Sequence, residues 1–470
     1  MNSPFDERKY KRLLKGLEVS EVFINELERT KRIDSEFYRK ENLEILNFIK
    51  QEEFKKLTDL VSVSDGNHMS ISNDFVDKGI PYYRGQDMHT FFIENAYPIC
   101  IPEKTYNKPV LRRSHLQNGD ILLSIVGTIG KIAIINTNIK ATCSCKLAIL
   151  RPKNDVSSEL VAVFLSSKYG QNQIQKLIRG AVQMGLLLED MDQLFVPVFT
   201  KNFHLKISRK VQLSKNLTDK SLSFYSQAEE LLLETIKLKD FKPNQIGANI
   251  KSLKESFLAT GRLDAEYYQP NYEGIIAKLK KQQYDILSNL VNIKKSIEPG
   301  SDVYSDEGLP FIRVANYNKF GISTPVKCLS TDYYKRNTKF LQSLYPTKDT
   351  ILFSKDGSVG TAYMVREDMQ AVTSGAILHL TVKNKAKVLP EYLTLVLNSK
   401  VVQQQAERDA GGSIILHWRL KEIEQVVIPL APMKIQQQIV NLIKESFSLR
   451  TESEKLLEEA KKMVESEIDK

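Results

Sequence analysis

Two pairs of carboxylates stand at matching places in this 470-residue chain, Asp34 with Glu36 and Asp264 with Glu266. Acidic side chains so close together can offer oxygens to a divalent cation, which makes metal-assisted nuclease chemistry the first possibility to weigh. No further carboxylate or histidine recurs beside them to complete a metal shell. The alternative is that they cap or ion-pair the opening helix of each half around the neighbouring Arg and Tyr. Other catalytic equipment is missing from the sequence. There is no G-x-x-x-x-G-K-[ST] phosphate loop, no H-E-x-x-H, no C-x-x-C pair and no Asn/Asp-Pro-Pro-Tyr/Phe motif of amino-methyltransferases. His68, His89, His115, His204, His379 and His417 do not match between the halves, which argues against a dyad built separately in each. Cys100, Cys143, Cys145 and Cys328 are too few and too irregular for a disulfide framework or a zinc site, and read as reduced structural thiols.

Polar groups suited to nucleic acid are better represented. A net charge of +10 and a pI near 9.1 favour a polyanionic partner, because each phosphate neutralised by Lys or Arg releases a counterion. Arg84 and Gln86, with Arg313 and Asn316, follow a Gly-x-Pro-aromatic run in both halves. Arg suits guanine and an amide suits adenine in the major groove; the competing reading is an Arg buried against a carboxylate. Gly127-Thr-Ile-Gly130 and Gly357-Ser-Val-Gly360 resemble a backbone-clamping G-x-x-G, or more economically a hairpin turn in which Gly supplies positive φ. Lys131 and Lys355 sit close enough to those turns to touch phosphate, or else lie on a solvated face. Arg179 to Gln183 and Arg408 to Ser413 end a helix in a glycine loop and form a second candidate contact surface.

These groups are positioned by an architecture written twice. Arg32-Ile-Asp-Ser-Glu-Phe-Tyr38 returns 230 residues later as Arg262-Leu-Asp-Ala-Glu-Tyr-Tyr268. Gly79 to Arg84 returns as Gly308 to Arg313, Ser124 to Gly130 as Ser354 to Gly360, and Asp192 to Pro197 as Glu424 to Pro429. One long-period duplication excludes a solenoid or propeller, whose units repeat every ~20 to 50 residues. Phe54, Leu57 and Leu60, matched by Tyr284, Leu287 and Leu290, predict a helical face early in each half. Strands are expected at Ile80 to Tyr83, Asp120 to Ser124, Lys131 to Ile135, Leu147 to Leu150, Ile351 to Ser354 and Ala376 to Leu380. One helix is expected over Leu160 to Ile178 and one over Tyr392 to Arg408. The non-alternating order makes each unit a mixed α/β (α+β) domain. With 42% hydrophobic residues and no apolar run near the ~20 needed to span a bilayer, the chain predicts a soluble protein without a membrane partner. Its first residues lack the apolar core of a signal peptide, which predicts a cytoplasmic location.

Each half closes with a heptad pattern. Leu217, Phe224, Leu231 and Leu238 fall seven apart, trailed by Ser221, Ala228 and Thr235; Leu442, Leu449, Leu456 and Met463 are trailed by Ser446, Ser453 and Ala460. A large row beside a small one predicts a coiled-coil seam in which two backbones approach closely, the simplest partner of each helix being the other. Residues 208 to 238 alone would make a rod of roughly 46 Å. The competing reading packs each helix on its own domain. Lys237 to Asn249, with Pro243, Asn244 and Gly247, reads as a helix stop and linker.

Taken together, R-[IL]-D-[AS]-E-[FY]-Y, G-[IL]-P-[FY]-[IY]-R, S-x-x-G-[ST]-[IV]-G and a [VI]-P-[VL] tail leading into a heptad helix resemble the specificity subunit of type I restriction-modification enzymes, over nearly the whole chain, twice. The resemblance implies two homologous target-recognition domains, 1–205 and 246–432, joined by two conserved helices, 206–245 and 433–470, that form an antiparallel coiled coil on a pseudo-twofold frame. It implies a non-catalytic chain that reads a bipartite target in double-stranded DNA and holds no cofactor of its own. S-adenosylmethionine, ATP and Mg would belong to partners, two methyltransferase subunits and the restriction motor-nuclease subunits. The first half departs from the pattern after Pro197, where Val-Phe-Thr-Lys-Asn-Phe replaces the proline-rich entry kept at Pro429 to Pro432. Two other functions remain to be distinguished: a coiled-coil scaffold that binds nucleic acid without sequence preference, and a self-contained nuclease using the paired carboxylates.

Overall fold

The computed structural model describes residues 6–30, 32–51, 53–76, 78–93, 98–153, 155–180, 183–239, 241, 249–325, 327–412 and 415–470. The chain divides into two units, Met1–Leu217 with Thr451–Lys470, and Thr218–Arg450. The division differs from one made in chain order, because each unit takes part of both long helices.

The first unit is built on a four-stranded antiparallel sheet in the order Val61–Asp65, Leu147–Pro152, Ile121–Ser124, Ile132–Ile134. Its central strands are buried on both faces, which is why Ile121-Leu-Leu and Leu147-Ala-Ile-Leu are apolar without alternation. A smaller sheet of Cys100–Ile101, Ile80–Tyr83 and Thr142–Cys143 stands beside it, the last pair parallel. The second unit repeats the plan with Val291–Lys295, Ile377–Val382, Ile351–Ser354 and Ala362–Met364, and a smaller sheet around Leu309–Ile312.

Two local expectations are corrected. Phe54 and Tyr284 lie in short strands that pair with Phe195–Pro197 and Val427–Pro429, so only the turns Leu57–Leu60 and Leu287–Leu290 are helical. The single helix expected over Leu160 to Ile178 is two, Ser158–Ser166 and Lys168–Leu177. Ser167 takes extended backbone (ψ 166°) and accepts from Gly170 N, a cap that starts a new helix. Ser399, also extended (ψ 159°) but without a side-chain cap bond, breaks the second copy between Pro390–Asn398 and Lys400–Asp409.

The long helices run Lys201–Thr235 and Met433–Ile468, longer than the heptads alone implied. Within the first unit Ser214 faces Ser453 and Lys210 faces Glu459, an antiparallel pairing; within the second, Ser221 faces Ser446. The seam is not the leucine row. Leu217, Phe224, Leu231, Leu442, Leu449, Leu456 and Met463 are only half-buried, and Leu238 lies beyond the helix end, buried in the second unit's core. The buried line is Val211, Ser214, Thr218, Ser221, Tyr225, Ala228 and Leu232, with Ile439, Ile443, Ser446, Arg450, Ser453 and Ala460 opposite. Small side chains let the backbones close until Ser214 Oγ lies 2.7 Å from Ser453 Oγ, and each hydroxyl also donates to the other serine's carbonyl. Leucines seven apart then fall beside the line of contact; Leu231, Leu442 and Met463 cover the cores of their own units. After Thr235, Lys237 turns to φ +55°, a left-handed helix stop; most of the linker expected from Lys237 to Asn249 lies outside the described residues.

Candidate nucleic-acid interface

In both units four loops leave the strands at one end of the main sheet. Ala148 pairs with Asp65 on one side and Leu123 on the other, so the loop after Asp65 and the turn after Ser124 leave that end about 10 Å apart. Segment 143–147 ties them into one row. Ser144 N donates to Tyr83 O, Asn67 bridges Ser144, and Ile125 N donates to Lys146 O. The loop after Lys168–Leu177 joins through Val126 and Gly185. In the second unit Ile297 and Ser374, Ile312, Lys355 and Trp418 make the same connections.

The S-x-x-G-[ST]-[IV]-G repeat is the hairpin turn of this row. Gly127, Gly130, Gly357 and Gly360 have φ of +85°, +93°, +74° and +82°, which only glycine takes without strain. The leading serine clips the turn: Ser124 Oγ donates to Thr128 O (2.6 Å) and accepts from Lys131 N (2.8 Å), and Ser354 accepts from Thr361 N (2.9 Å). Gln171 Nε2 donates to Gly130 O and Gln403 Nε2 to Gly360 O, pinning each turn to the helix behind it. Hairpin strands flank both turns, which decides against the nucleic-acid G-x-x-G clamp.

The predicted contact residues divide sharply. Arg84 Nε lies 3.4 Å from Asp87, whose carboxylate also accepts Arg84 N at 2.7 Å. Asn316 is buried with its Oδ1 accepting from Arg313 N at 2.9 Å; it is the counterpart of Asp87, not of Gln86, and its amide oxygen closes a turn. Arg179 grips Asp190 through Nε (2.9 Å) and Nη2, and Arg408 is held by Asp409 at 2.6 Å with its guanidinium 4.9 Å from the Tyr267 ring. Arg84, Arg179 and Arg408 are thus each held beside an Asp, and Asn316 is taken up in closing a turn. Lys355 pairs with Asp356, which His417 Nδ1 also meets at 2.9 Å. Lys131 is half-buried, and desolvation lowers its pKa. Gln86, Gln183 and Arg313 remain exposed; Ser413 lies outside the described residues.

The aspartate of each acidic pair is held by the arginine two residues before it, while Glu36 and Glu266 are exposed. Arg32, 5% exposed, donates through Nε (2.7 Å) and Nη2 (2.6 Å) to Asp34 and through Nη1 to Leu177 O (3.1 Å). Arg262 holds Asp264 likewise and donates to Asp409 O at 2.8 Å. Tyr38 and Tyr268 donate their hydroxyls to the carbonyls of Arg32 and Arg262. The motif thus straps the start of each half to the end of a helix, and the guanidinium holds each Asp below the usual carboxylate range. Among the described residues no group of three His, Cys, Asp or Glu is placed to hold a metal ion.

Residues outside the sequence-based set also stand in the row. Asp65, His68, Arg113 and exposed Lys146 lie in the first unit, and Lys295, Glu298, His417 and Arg419 in the second.

The family model described as "Type I restriction modification DNA specificity domain" matches residues 50–199 and 277–462. The specificity subunit of the type I restriction enzyme EcoBI from Escherichia coli is 23% identical over 241 residues, 46% of this chain and 47% of that protein, so the chain spans about half the length of this curated relative. Among solved structures, the S subunit of a type I restriction-modification system from M. genitalium aligns with 88% of this chain and 94% of its own at 14% identity and a TM-score of 0.33. The HsdS subunit from Thermoanaerobacter tengcongensis aligns with 89% and 95% at 14% identity and a TM-score of 0.29.

Proposed function

This chain belongs to the type I restriction-modification DNA specificity family, and we propose that each unit reads one half of a split double-stranded DNA target while the paired long helices dock partner subunits. One observation carries this reading: both units present the same row of loops on the same backbone connections, with different side chains along it. Two unlike readers in a single chain can recognise an asymmetric site, which a symmetric homodimer of one reader could not. The basic balance of +10 supplies the phosphate attraction on which reading is superimposed.

Catalysis belongs to the partners. The aspartate of each acidic pair is taken up by Arg32 or Arg262, which leaves a single exposed glutamate beside it, and on this reading methyl transfer from S-adenosylmethionine and ATP-driven cleavage fall to methyltransferase and motor-nuclease subunits. Two copies of one partner are supported by matched exposed apolar residues: Phe23 (79%) with Leu253 (60%), and Ile33 (88%) with Leu263 (71%), each 230 residues apart. Exposed apolar groups repeated at equivalent places suit a surface covered on assembly.

The test is an exchange of residues 248–432 for those of another family member, co-expressed with the methyltransferase partner, with methylated sites mapped across a genome. One half-site should change and the other stay. If both change, or if methylation loses all sequence preference as a non-specific scaffold would require, the reading is wrong. Purified chain alone, given S-adenosylmethionine or Mg²⁺ and ATP, should neither methylate nor cut DNA.

A further inference from the structure

In the row of the first unit, one buried carboxylate aims two exposed donors. Asp65 is 9% exposed; its Oδ1 accepts from Arg113 Nη2 at 2.5 Å and its Oδ2 meets His68 Nε2 at 2.5 Å, while the Arg113 and His68 side chains stay 56% and 59% exposed. The loop that carries His68 is braced. Asn67 N donates to Cys143 O (2.7 Å), Cys145 N donates to Asn67 O (3.0 Å), and the Asn67 side chain bonds Met69 N and O. Gly66 lies so close to the neighbouring strand that a Cβ there would come within 2.2 Å of Ser144 O. Long cationic side chains ordinarily lose several rotamers on binding; here one ion pair and a fixed loop have already removed that freedom.

The second unit keeps the frame and changes the chemistry. Ile297 bridges Ser374 and Gly375 N donates to Ile297 O at 2.7 Å, the counterparts of the Asn67 connections. Yet 230 residues on from Asp65, Asn67, His68 and Arg113 stand Lys295, Ile297, Glu298 and Ser343, with Lys295 and Glu298 exposed. Frame residues such as Ser124 and Ser354, or Arg32 and Arg262, are the same in both copies. A buried, satisfied ion pair kept only for stability would have no reason to reverse sign at one end of an otherwise repeated scaffold.

We propose that Arg113 and His68, oriented by Asp65, are base-contacting residues of the first unit and place a guanine in the first half-site, with Lys295 and Glu298 at the equivalent station of the second unit. This rests on the DNA-recognition reading above. The bond to Asp65 uses one of the five N–H groups of Arg113, which leaves the outer edge of the guanidinium for the O6 and N7 of guanine in the major groove.

The experiment assembles the full chain with its methyltransferase partner and selects from randomised duplexes, comparing wild type with Arg113→Ala, Arg113→Lys, His68→Ala and Asp65→Asn across a salt series. Arg113→Ala should lower discrimination at one guanine of the first half-site by roughly 10- to 100-fold, with the second half-site unchanged as an internal control of folding. Asp65→Asn should weaken the same position by a smaller factor. Uniform loss over all sequences with a shallower salt slope would make Arg113 a phosphate contact and overturn the proposal, as would an unchanged preference. If wild type itself selects no sequence, the functional reading fails first, an outcome distinct from a wild-type preference that Arg113→Ala leaves intact.

Discussion

The serine seam of the second unit lends itself to a double-mutant cycle. Ser221 and Ser446 are 0% and 1% exposed with their Oγ atoms 3.0 Å apart. Replacing either by Ala deletes one hydroxyl bond and leaves the other hydroxyl buried, at a cost of about 1 to 2 kcal/mol. A helical serine can turn to the carbonyl four residues back, which holds the cost toward the lower figure. Replacing both removes the stranded group, so the double variant should lose little more than one single variant, a coupling of about 1 kcal/mol. Ser221→Leu tests the other feature of the seam, close backbones: a larger side chain there should cost roughly 2 to 3 kcal/mol by overpacking. The chain's single tryptophan provides the assay. Trp418 is 1% exposed and shares a core with Tyr225, Ala228, Leu232, Ile439 and Ile443, so its fluorescence during urea unfolding reports this unit and the seam residues packed in it. Strictly additive costs for the two alanines, or a neutral Ser221→Leu, would refute a closely approached, hydroxyl-bonded seam.

Three further outcomes follow from the same unit and its neighbour. Arg262→Ala should lower stability by about 1 to 3 kcal/mol in the Trp418 assay, because it strands the carbonyl of buried Asp409 and leaves Asp264 without its partner; a change under about 0.5 kcal/mol would sink the strap role. His379 is buried opposite Lys294 and Leu352, bonded to Thr373 Oγ1 at 2.8 Å, and burial pushes its pKa down to about 4. The unfolded chain takes up that proton near pH 6.5 and the folded chain only near 4, so stability is complete above about 6.5 and falls with pH, by about 2 kcal/mol between pH 7.5 and 5. His379→Gln should flatten that slope; an unchanged slope would assign it elsewhere. In the first unit, Gly130→Ala should disturb the turn, since φ is +93° and the added carbon would meet Gln171 Oε1 at 2.7 Å, and loss of DNA affinity without loss of the global fold is the expected reading from paired binding and melting curves.

How much of this was legible in the sequence depended on what each residue answers to. Strands such as Ile121–Ser124 and Ile377–Val382 were visible because burial on both faces forces continuous apolar runs. The breaks at Ser167 and Ser399 were not, because a serine inside helical spacing reads the same whether it caps a new helix or sits in an old one. The seven-residue period makes the coiled coil legible, yet the period alone does not say which row is the seam, and here the smallest side chains, not the largest, line it. Arg84, Arg179 and Arg408 suit DNA by residue type, yet each is paired with an Asp, Asp87, Asp190 and Asp409, a restraint that residue type alone does not reveal. The buried Gln173 and Gln405, which bond both the N–H and C=O of Phe195 and Val427, carry no local pattern that announces them.

The histidines illustrate why one filter can serve catalysis and mislead for recognition. A reaction centre duplicated in two halves should keep its acid and base, so unmatched histidines count against it. A pair of readers should keep only the frame. What repeats in this chain is what closes backbone hydrogen bonds: the serines that clip the turns, the positive-φ glycines, Gln171 and Gln403 behind them, and the Arg straps. What differs, Asp65 with His68 and Arg113 against Lys295 with Glu298, sits where side chains leave a frame that does not depend on them. Because the loop after Asp65 is fixed by main-chain bonds to Cys143 and Cys145, the side chains on it can change sign without moving it, and a change of target costs the fold little. Transplanting Lys295, Glu298 and Ser343 onto positions 65, 68 and 113 should therefore leave the melting temperature of the chain within a few degrees while altering the first half-site, whereas a lysine and a glutamate placed at Ser124 and Gly130 should unfold the turn and abolish reading of the first half-site alone.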